Sequence, residues 1–187
     1  MPADCRLQFP TMKKKYTFNI SSESGKSKKL ILFKDLTESE EHIALKLIAY
    51  LYFFESEIKT ETSVQQKYKP DLVIFDDPLL ESGIKFWVEC KDADIKKLDR
   101  VLRKNTRSEV YLFNSENAIE NRKNKMNKGI RDLDRFYAAK IRNLENLADK
   151  LKREKRFCIY FTIHADKLNL YFEEDALELK IAVEKII

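Results

Sequence analysis

The chain has 187 residues, 43% hydrophobic and 36% charged, with only three glycines and four prolines. That balance excludes a disordered or collagen-like chain, and the length suits one domain (residues 1–187) whose core needs no disulfide or metal staple. The net charge of +5 is too small to name a partner. Its distribution says more: between Arg122 and Arg156, thirteen Lys or Arg stand against five Asp or Glu. A surplus of that kind is an electrostatic footprint for phosphates or a solvated helix face.

The cysteines Cys5, Cys90 and Cys158 are odd in number and far apart. Neither a disulfide framework, a disulfide-linked partner nor a zinc knuckle is expected. No signal-peptide pattern and no apolar run of membrane-spanning length is present, which predicts a cytoplasmic protein with no membrane contact.

In chain order, Tyr16–Ile20 and Lys29–Phe33 read as two strands of a hairpin around the Ser/Gly/Lys-rich link 21–28. Thr37-Glu38-Ser39-Glu40 is a capping-box pattern that starts a helix running to about Ile58, apolar over so wide an arc that it must be buried. Glu41 lies one turn before Leu45 and so points to the buried side, while Glu38 and Glu40 suit the helix dipole. A site role for Glu41 and a merely structural one both remain open.

A polar link, 60–69, leads to the central stretch. Asp71–Phe75 is a short apolar, β-branched run, and from Ile84 to Lys91 apolar residues largely alternate with polar ones. Asp76-Asp77-Pro78 through Ser82-Gly83 supplies turn chemistry between them. Strand period two puts Lys85, Trp87, Glu89 and Lys91 on one face and Ile84, Phe86, Val88 and Cys90 on the other, core-facing one. Glu89 and Lys91 then end a buried strand, where an unpaired charge is costly. A divalent cation shared with Asp71 would compensate Glu89, because hard cations take oxygen ligands, and Lys91 could then hold a water or a phosphate oxygen.

Beyond this, 92–104 has Ile95, Leu98 and Leu102 at helical spacing, with Lys96, Lys97, Arg100, Arg103 and Lys104 around them. These cations are candidates for holding a nucleic-acid backbone, against the reading that they are simply solvated. Glu109–Phe113 is a strand reached by a parallel crossover. Residues 114–127 read as a loop with a surface helix, and 129–140 as a strand or helix of open type. Ile141, Leu144, Leu147, Ala148 and Leu151 form the apolar stripe of an amphipathic helix. Arg156–Ile163 and Leu168–Phe172 make a second hairpin, and 176–187 closes a sheet edge or forms a last helix. His42 and His164 are read as structural or exposed.

No Gly-rich phosphate loop, nucleophile elbow, H-E-x-x-H helix or C-x-x-C pair occurs. The carboxylates remain. Pro70-Asp71, seventeen intervening residues and Glu89-Cys90-Lys91 resemble the PD-(D/E)xK nuclease superfamily, whose core is a helix, three strands, a helix and a further strand. With Thr37–His42, Lys69–Val73, Phe86–Glu89, Asp94–Lys104 and the segment from Asn146 to Phe172, the chain is similar more narrowly to the YaeQ family within it.

The resemblance implies an α/β fold with a restriction endonuclease-like mixed β-sheet flanked by helices, to which N- and C-terminal β-hairpins are added. It implies Asp71 and Glu89 as ligands of Mg²⁺ or Mn²⁺, with the Cys90 backbone carbonyl and Glu41 as further ligands and Lys91 as the charge-stabilising lysine. The expected activity is metal-dependent hydrolysis of phosphodiester bonds in DNA or RNA. The alternatives are a catalytically weak or inactive module of the same fold that binds nucleic acid or a protein, and an ion-pair network with no metal.

Overall fold

The computed structural model describes residues 13–64 and 66–185; Cys5 and the last two residues of the C-terminal segment lie outside them. One ten-stranded sheet runs through the molecule. Its first pair, β1 (Lys14–Ser22) and β2 (Ser27–Lys34), is the expected antiparallel hairpin.

Helix α1 (Glu40–Tyr52) follows. Ile43, Leu45, Leu47, Ile48 and Leu51 are at most 1% exposed, each worth roughly 1.5–3 kcal/mol of burial. The helix starts later than the Thr37 pattern predicts, because Ser39 is the N-cap and its Oγ accepts from the His42 amide at 3.3 Å. Glu40 is drawn away to Lys14 and Lys34 on the hairpin, and Glu38 turns back to the Asp35 amide. The helix also ends earlier than Ile58. Phe53 is its C-cap, and the Lys28 ammonium from β2 caps the carbonyls of Phe54 and Ser56 just beyond.

The two-residue strand β3 (Lys59–Thr60) precedes β4 (Leu72–Asp77) and β5 (Ser82–Cys90), which form the central antiparallel hairpin. At its turn the Asp77 carboxylate accepts from the Leu79 and Leu80 amides. Pairing shifts register beside Phe75, so Lys85 is bulged. Strict alternation therefore fails at one position: Ile84 packs with Trp87 instead of with Phe86, Val88 and Cys90.

Helix α2 (Ile95–Lys104), N-capped by Asp94, leads to β6 (Glu109–Ser115), parallel to β5 as expected. The Arg135 guanidinium closes the other end of α2 by donating to the carbonyls of Leu102, Asn105 and Ser108. Helix α3 (Glu116–Gly129) is the expected surface helix, and it takes up nearly the whole segment read as loop plus helix. The segment of open type resolves into a short 3₁₀ turn and β7 (Phe136–Arg142), parallel to β6.

Helix α4 (Leu144–Arg153) carries the predicted stripe except Ile141, which belongs to β7. The hairpin of β8 (Arg156–His164) and β9 (Lys167–Tyr171) follows, then β10 (Ala176–Lys185). β10 is an interior strand between β9 and β7, neither an edge nor a helix.

The strand order is β2-β1-β8-β9-β10-β7-β6-β5-β4-β3, a large mixed sheet that nearly closes on itself. α1 lies inside the curl, packing on β2 at one side and on β4 and β5 at the other, with α4 beside it. α2 and α3 cover the opposite face of β4 to β7, where Trp87, Leu98, Leu112 and Phe136 form a second apolar layer. Among the described residues, no helix packs on the outer face of β2, β1, β8 and β9. No described helix is long and apolar enough to cross a membrane.

Candidate functional site

The β4–β5 ladder pairs Leu72 with Val88, and the Asp71 amide continues it to the Val88 carbonyl at 3.1 Å. One step further, Asp71 and Glu89 reach the same rim of the sheet. Both line a cleft of about 400 Å³ with His42, Lys69, Lys91, Asp94 and Lys97.

Asp71 sits between the two apolar layers. Its Oδ2 accepts from the Cys90 amide at 2.8 Å and lies 3.3 Å from His42 Nε2, while Oδ1 is 3.4 Å from Lys46 Nζ. Burial pushes this carboxyl's pKa up, but His42, Lys46 and the Cys90 amide outweigh it and hold the group below the usual carboxylate range. His42 is clamped by a second acid, with Nδ1 3.1 Å from Glu38 Oε1. Burial alone would favour neutral imidazole; the Asp71 and Glu38 carboxylates reverse this and raise its pKa to about 9.

Lys46 is 3% exposed and binds Glu38 at 2.9 Å, Glu61 at 3.0 Å and Asp71 at 3.4 Å. Its pKa is raised, and that of Glu38 is lowered, because these contacts exceed the cost of burial. Glu38, His42 and Lys46 therefore form one polar stripe at i, i+4, i+8 along α1 and its approach.

Glu89 is in a different state. It is 4% exposed. Trp87 Nε1 and Lys97 Nζ each meet its Oε1 at 2.7 Å, and neither contact uses Oε2. Burial raises its pKa, the neighbouring Asp71 charge adds to the rise, and Lys97 offsets only part of it.

Lys91 departs from the expected geometry. Its φ of 65° takes it out of strand conformation, so it leaves the Glu89 face and reaches α1 instead. Its Nζ binds Ser39 Oγ at 2.7 Å and lies 3.1 Å from Glu41 Oε2. Asn114 anchors the turn by donating to the Lys91 carbonyl. Glu41 is correspondingly not on the buried side; its side chain is 39% exposed and tied to Lys91. Asp71, Glu89 and Lys91 thus share the cleft, and Glu41 is attached to it only through Lys91. The Cys90 thiol faces the apolar layer as expected, and burial raises its pKa well above the normal value. Cys90 and Cys158 are both free.

The basic residues of α2 divide. Lys97 belongs to the cleft. Lys96, Arg100 and Lys104 are exposed, with Arg100 donating to the Tyr68 hydroxyl, and Arg103 is paired with the buried Asp99. Among the described residues, no group of three or more His, Cys, Asp or Glu is arranged to hold a metal ion.

A family model, described as YaeQ protein, matches residues 19–182. The chain belongs to the YaeQ family. Two solved family members share its fold. The YaeQ protein from Pseudomonas syringae is 18% identical over 93% of this chain and 96% of its own, with a TM-score of 0.72. The YaeQ protein from Xanthomonas axonopodis pv. citri is 16% identical over 94% of this chain and 100% of its own, with a TM-score of 0.69. No curated protein matches the chain.

Sequence patterning passed over Lys46, Glu61 and Lys69 and gave His42 and Glu38 no site role. Lys46 left a signal: it is the one charge in the apolar run Ile43–Leu51. A buried ammonium demands acids one turn away or across the layer, and the polar residue one turn earlier is His42.

Proposed function

We propose that this YaeQ-family chain is a divalent-metal-dependent phosphodiesterase acting on nucleic acid, with its centre at Asp71, Glu89 and Lys91. The observation that carries this is the convergence of two strand-end carboxylates and three lysines, Lys69, Lys91 and Lys97, in one open cleft. The order of elements supports it: α1, the strands β3, β4 and β5, then α2 and β6 follow the helix, three strands, helix, strand order of the restriction endonuclease-like core.

The donor set suits Mg²⁺ or Mn²⁺. It offers two carboxylates and the Cys90 carbonyl, all hard oxygens, and the second oxygen of Glu89 carries neither of its contacts. Such ions keep several waters and need only one or two protein carboxylates. When bound, the ion polarises a phosphate and acidifies a water. The remaining work falls to the chain. His42 and Lys46 keep Asp71 anionic, Lys91 is aimed by Ser39 and Glu41 to meet charge developing on phosphate, and Lys69 and Lys97 attract the backbone. Lys96, Arg100 and Lys104, exposed on α2, extend that attraction.

The test is cleavage of labelled single- and double-stranded DNA and RNA in Mn²⁺ and in EDTA. Asp71→Asn and Lys91→Ala are each expected to lower the rate at least a hundredfold while fluorescence of Trp87, the only tryptophan, shows an intact fold. Cleavage that survives EDTA or Asp71→Asn would refute it. Metal binding is read independently by Mn²⁺ quenching of Trp87, which touches Glu89.

One observation favours a second reading. His42 and Lys46 already neutralise Asp71, and Lys97 already neutralises Glu89. A binding module without chemistry would keep that arrangement and show salt-dependent nucleic-acid binding, no cleavage and no quenching by Mn²⁺.

A further inference from the structure

The uncovered outer face of the sheet carries a second surface, remote in sequence from the cleft. Its β8 row is Arg156, Cys158 and Tyr160, with Thr17, Asn19 and Ser21 in register beside them on β1 and Ile31 and Lys29 beyond on β2. Tyr160 pairs across the next ladder with Tyr171 of β9. The two tyrosines are 43% and 42% exposed, and their rings lie 5.7 Å apart. Apart from each other, these two half-exposed aromatics on a largely polar sheet face stack on no further ring among the described residues.

Two adjoining hollows of about 370 and 430 Å³ run from this pair toward Arg156 and share Asn19, Cys158, Phe172 and Glu173 as walls. Among the described residues, Lys15, Lys29 and Arg156 on this face make no ion pair, whereas Lys14 and Lys34 of the same hairpin pair with Glu40. Rows two residues apart along a strand are about 6.7 Å apart and neighbouring strands about 4.8 Å. Arg156 therefore lies two rows from Tyr160, and Lys29 one row and two strands away, a span of a few nucleotides.

We propose that this face binds single-stranded nucleic acid, with bases stacked on Tyr160 and Tyr171 and the phosphate chain running over Arg156, Lys29 and Lys15. Charge complementarity selects this occupant. A second copy, docked face to face by a two-fold axis, would bring together two faces that carry the same three cations. Stacking needs only a π-face, which tolerates any base, and the amide and hydroxyl groups of Asn19 and Ser21 can pair with base edges. A duplex hides its base faces and cannot use the tyrosines. Glu154, Glu173 and Glu174, which line the larger hollow beside Arg156, repel phosphate and confine the chain to the β1 and β2 side, where Lys15 and Lys29 lie.

The test is fluorescence anisotropy of a labelled 12-nucleotide oligouridylate. EDTA is present throughout, so failure of metal chemistry in the cleft cannot affect the outcome. Tyr160→Ala and Tyr171→Ala are each expected to weaken binding about tenfold, the usual cost of losing a stacking platform, and Tyr160→Phe to restore it. Both positions are exposed, so the variants should fold, as circular dichroism would verify. Lys29→Ala with Arg156→Ala should flatten the slope of log affinity against log salt by about 1.4, for two phosphates lost. Equal binding by wild type and the alanine variants would overturn the proposal, as would tighter binding of a 12-base-pair duplex. Self-association abolished by Tyr160→Ala, without oligonucleotide binding, would assign the face to a second copy instead.

Discussion

Replacing Lys46 by Met tests whether the charges around Asp71 act as one structural unit. The side chain is 3% exposed with three carboxylate neighbours at 2.9, 3.0 and 3.4 Å. Met preserves the apolar stem and removes the ammonium, leaving buried acids short of a counter-charge. Breaking a buried ion pair from one side costs about 3–5 kcal/mol. Glu61 is 29% exposed and Glu38 16%, and His42 still serves Asp71, so the lower end, roughly 3 kcal/mol, is expected. For a chain of this size that lowers Tm by roughly 6–12 °C, measurable by calorimetry.

The pH dependence gives the sharper check. Asp71 and Glu38 have depressed pKa values in the folded state. Their stabilisation is present above the unfolded carboxylate pKa of about 4 and is lost as pH falls through the folded values. The raised pKa of Lys46 acts only at the alkaline end, where stability falls as pH rises through it. The gap between wild type and Lys46→Met should therefore be full between about pH 6 and 8 and close in acid, below the unfolded carboxylate pKa of about 4. A variant as stable as wild type at pH 7, or a gap unchanged in acid, would refute the network.

His42 should titrate by NMR near pH 9 instead of 6.5. Its raised pKa contributes stability present below 6.5 and lost as pH rises through about 9, on the order of 3 kcal/mol shared with its two acids; His42→Gln should abolish that loss. Glu89 should ionise above the ordinary glutamate pKa, visible as a pH step in Trp87 fluorescence that Glu89→Gln removes. Because the Lys97 ammonium occupies Glu89, Lys97→Gln should tighten Mn²⁺ quenching of Trp87, and weaker quenching would contradict a shared position. Arg135→Ala strips three carbonyls at the end of α2 of their donor and should cost about 1–3 kcal/mol, with faster amide exchange confined to α2 and the turn after it.

Elements with strong periodicity were legible. The β1–β2, β4–β5 and β8–β9 hairpins, α2 and α4 all follow from alternation, helical stripes and turn residues. The misses have local causes. α1 is shortened at both ends by lysines from the hairpin, contacts no helix propensity encodes. The surface helix α3 was expected, but not its full length, because only Ile119 and Met126 of its fourteen residues are buried and mark a periodicity. β10 reads as an edge strand or a helix since only Leu179 and Ile181 of its ten residues are buried, yet it is paired on both sides. Within the cleft, Asp71 and Glu89 were legible from their strands. Lys91 was misplaced because one residue of positive φ overrides the alternation.

The two carboxylates that the strands bring together are not equivalent, and α1 is the reason. Burying Lys46 in an apolar helix requires acids around it, and the same acids hold His42 protonated between Glu38 and Asp71. Asp71 is thereby kept anionic, whereas Glu89, shielded by Trp87 and compensated only by Lys97, is pushed toward protonation. When neighbouring environments drive two acids apart in this way, one serves as a fixed charge and the other as the group that exchanges a proton or a cation. On the proposed metal-dependent reading, Asp71 is the fixed charge of this cleft, and Glu89 is the carboxylate that would exchange the Lys97 ammonium for the metal ion.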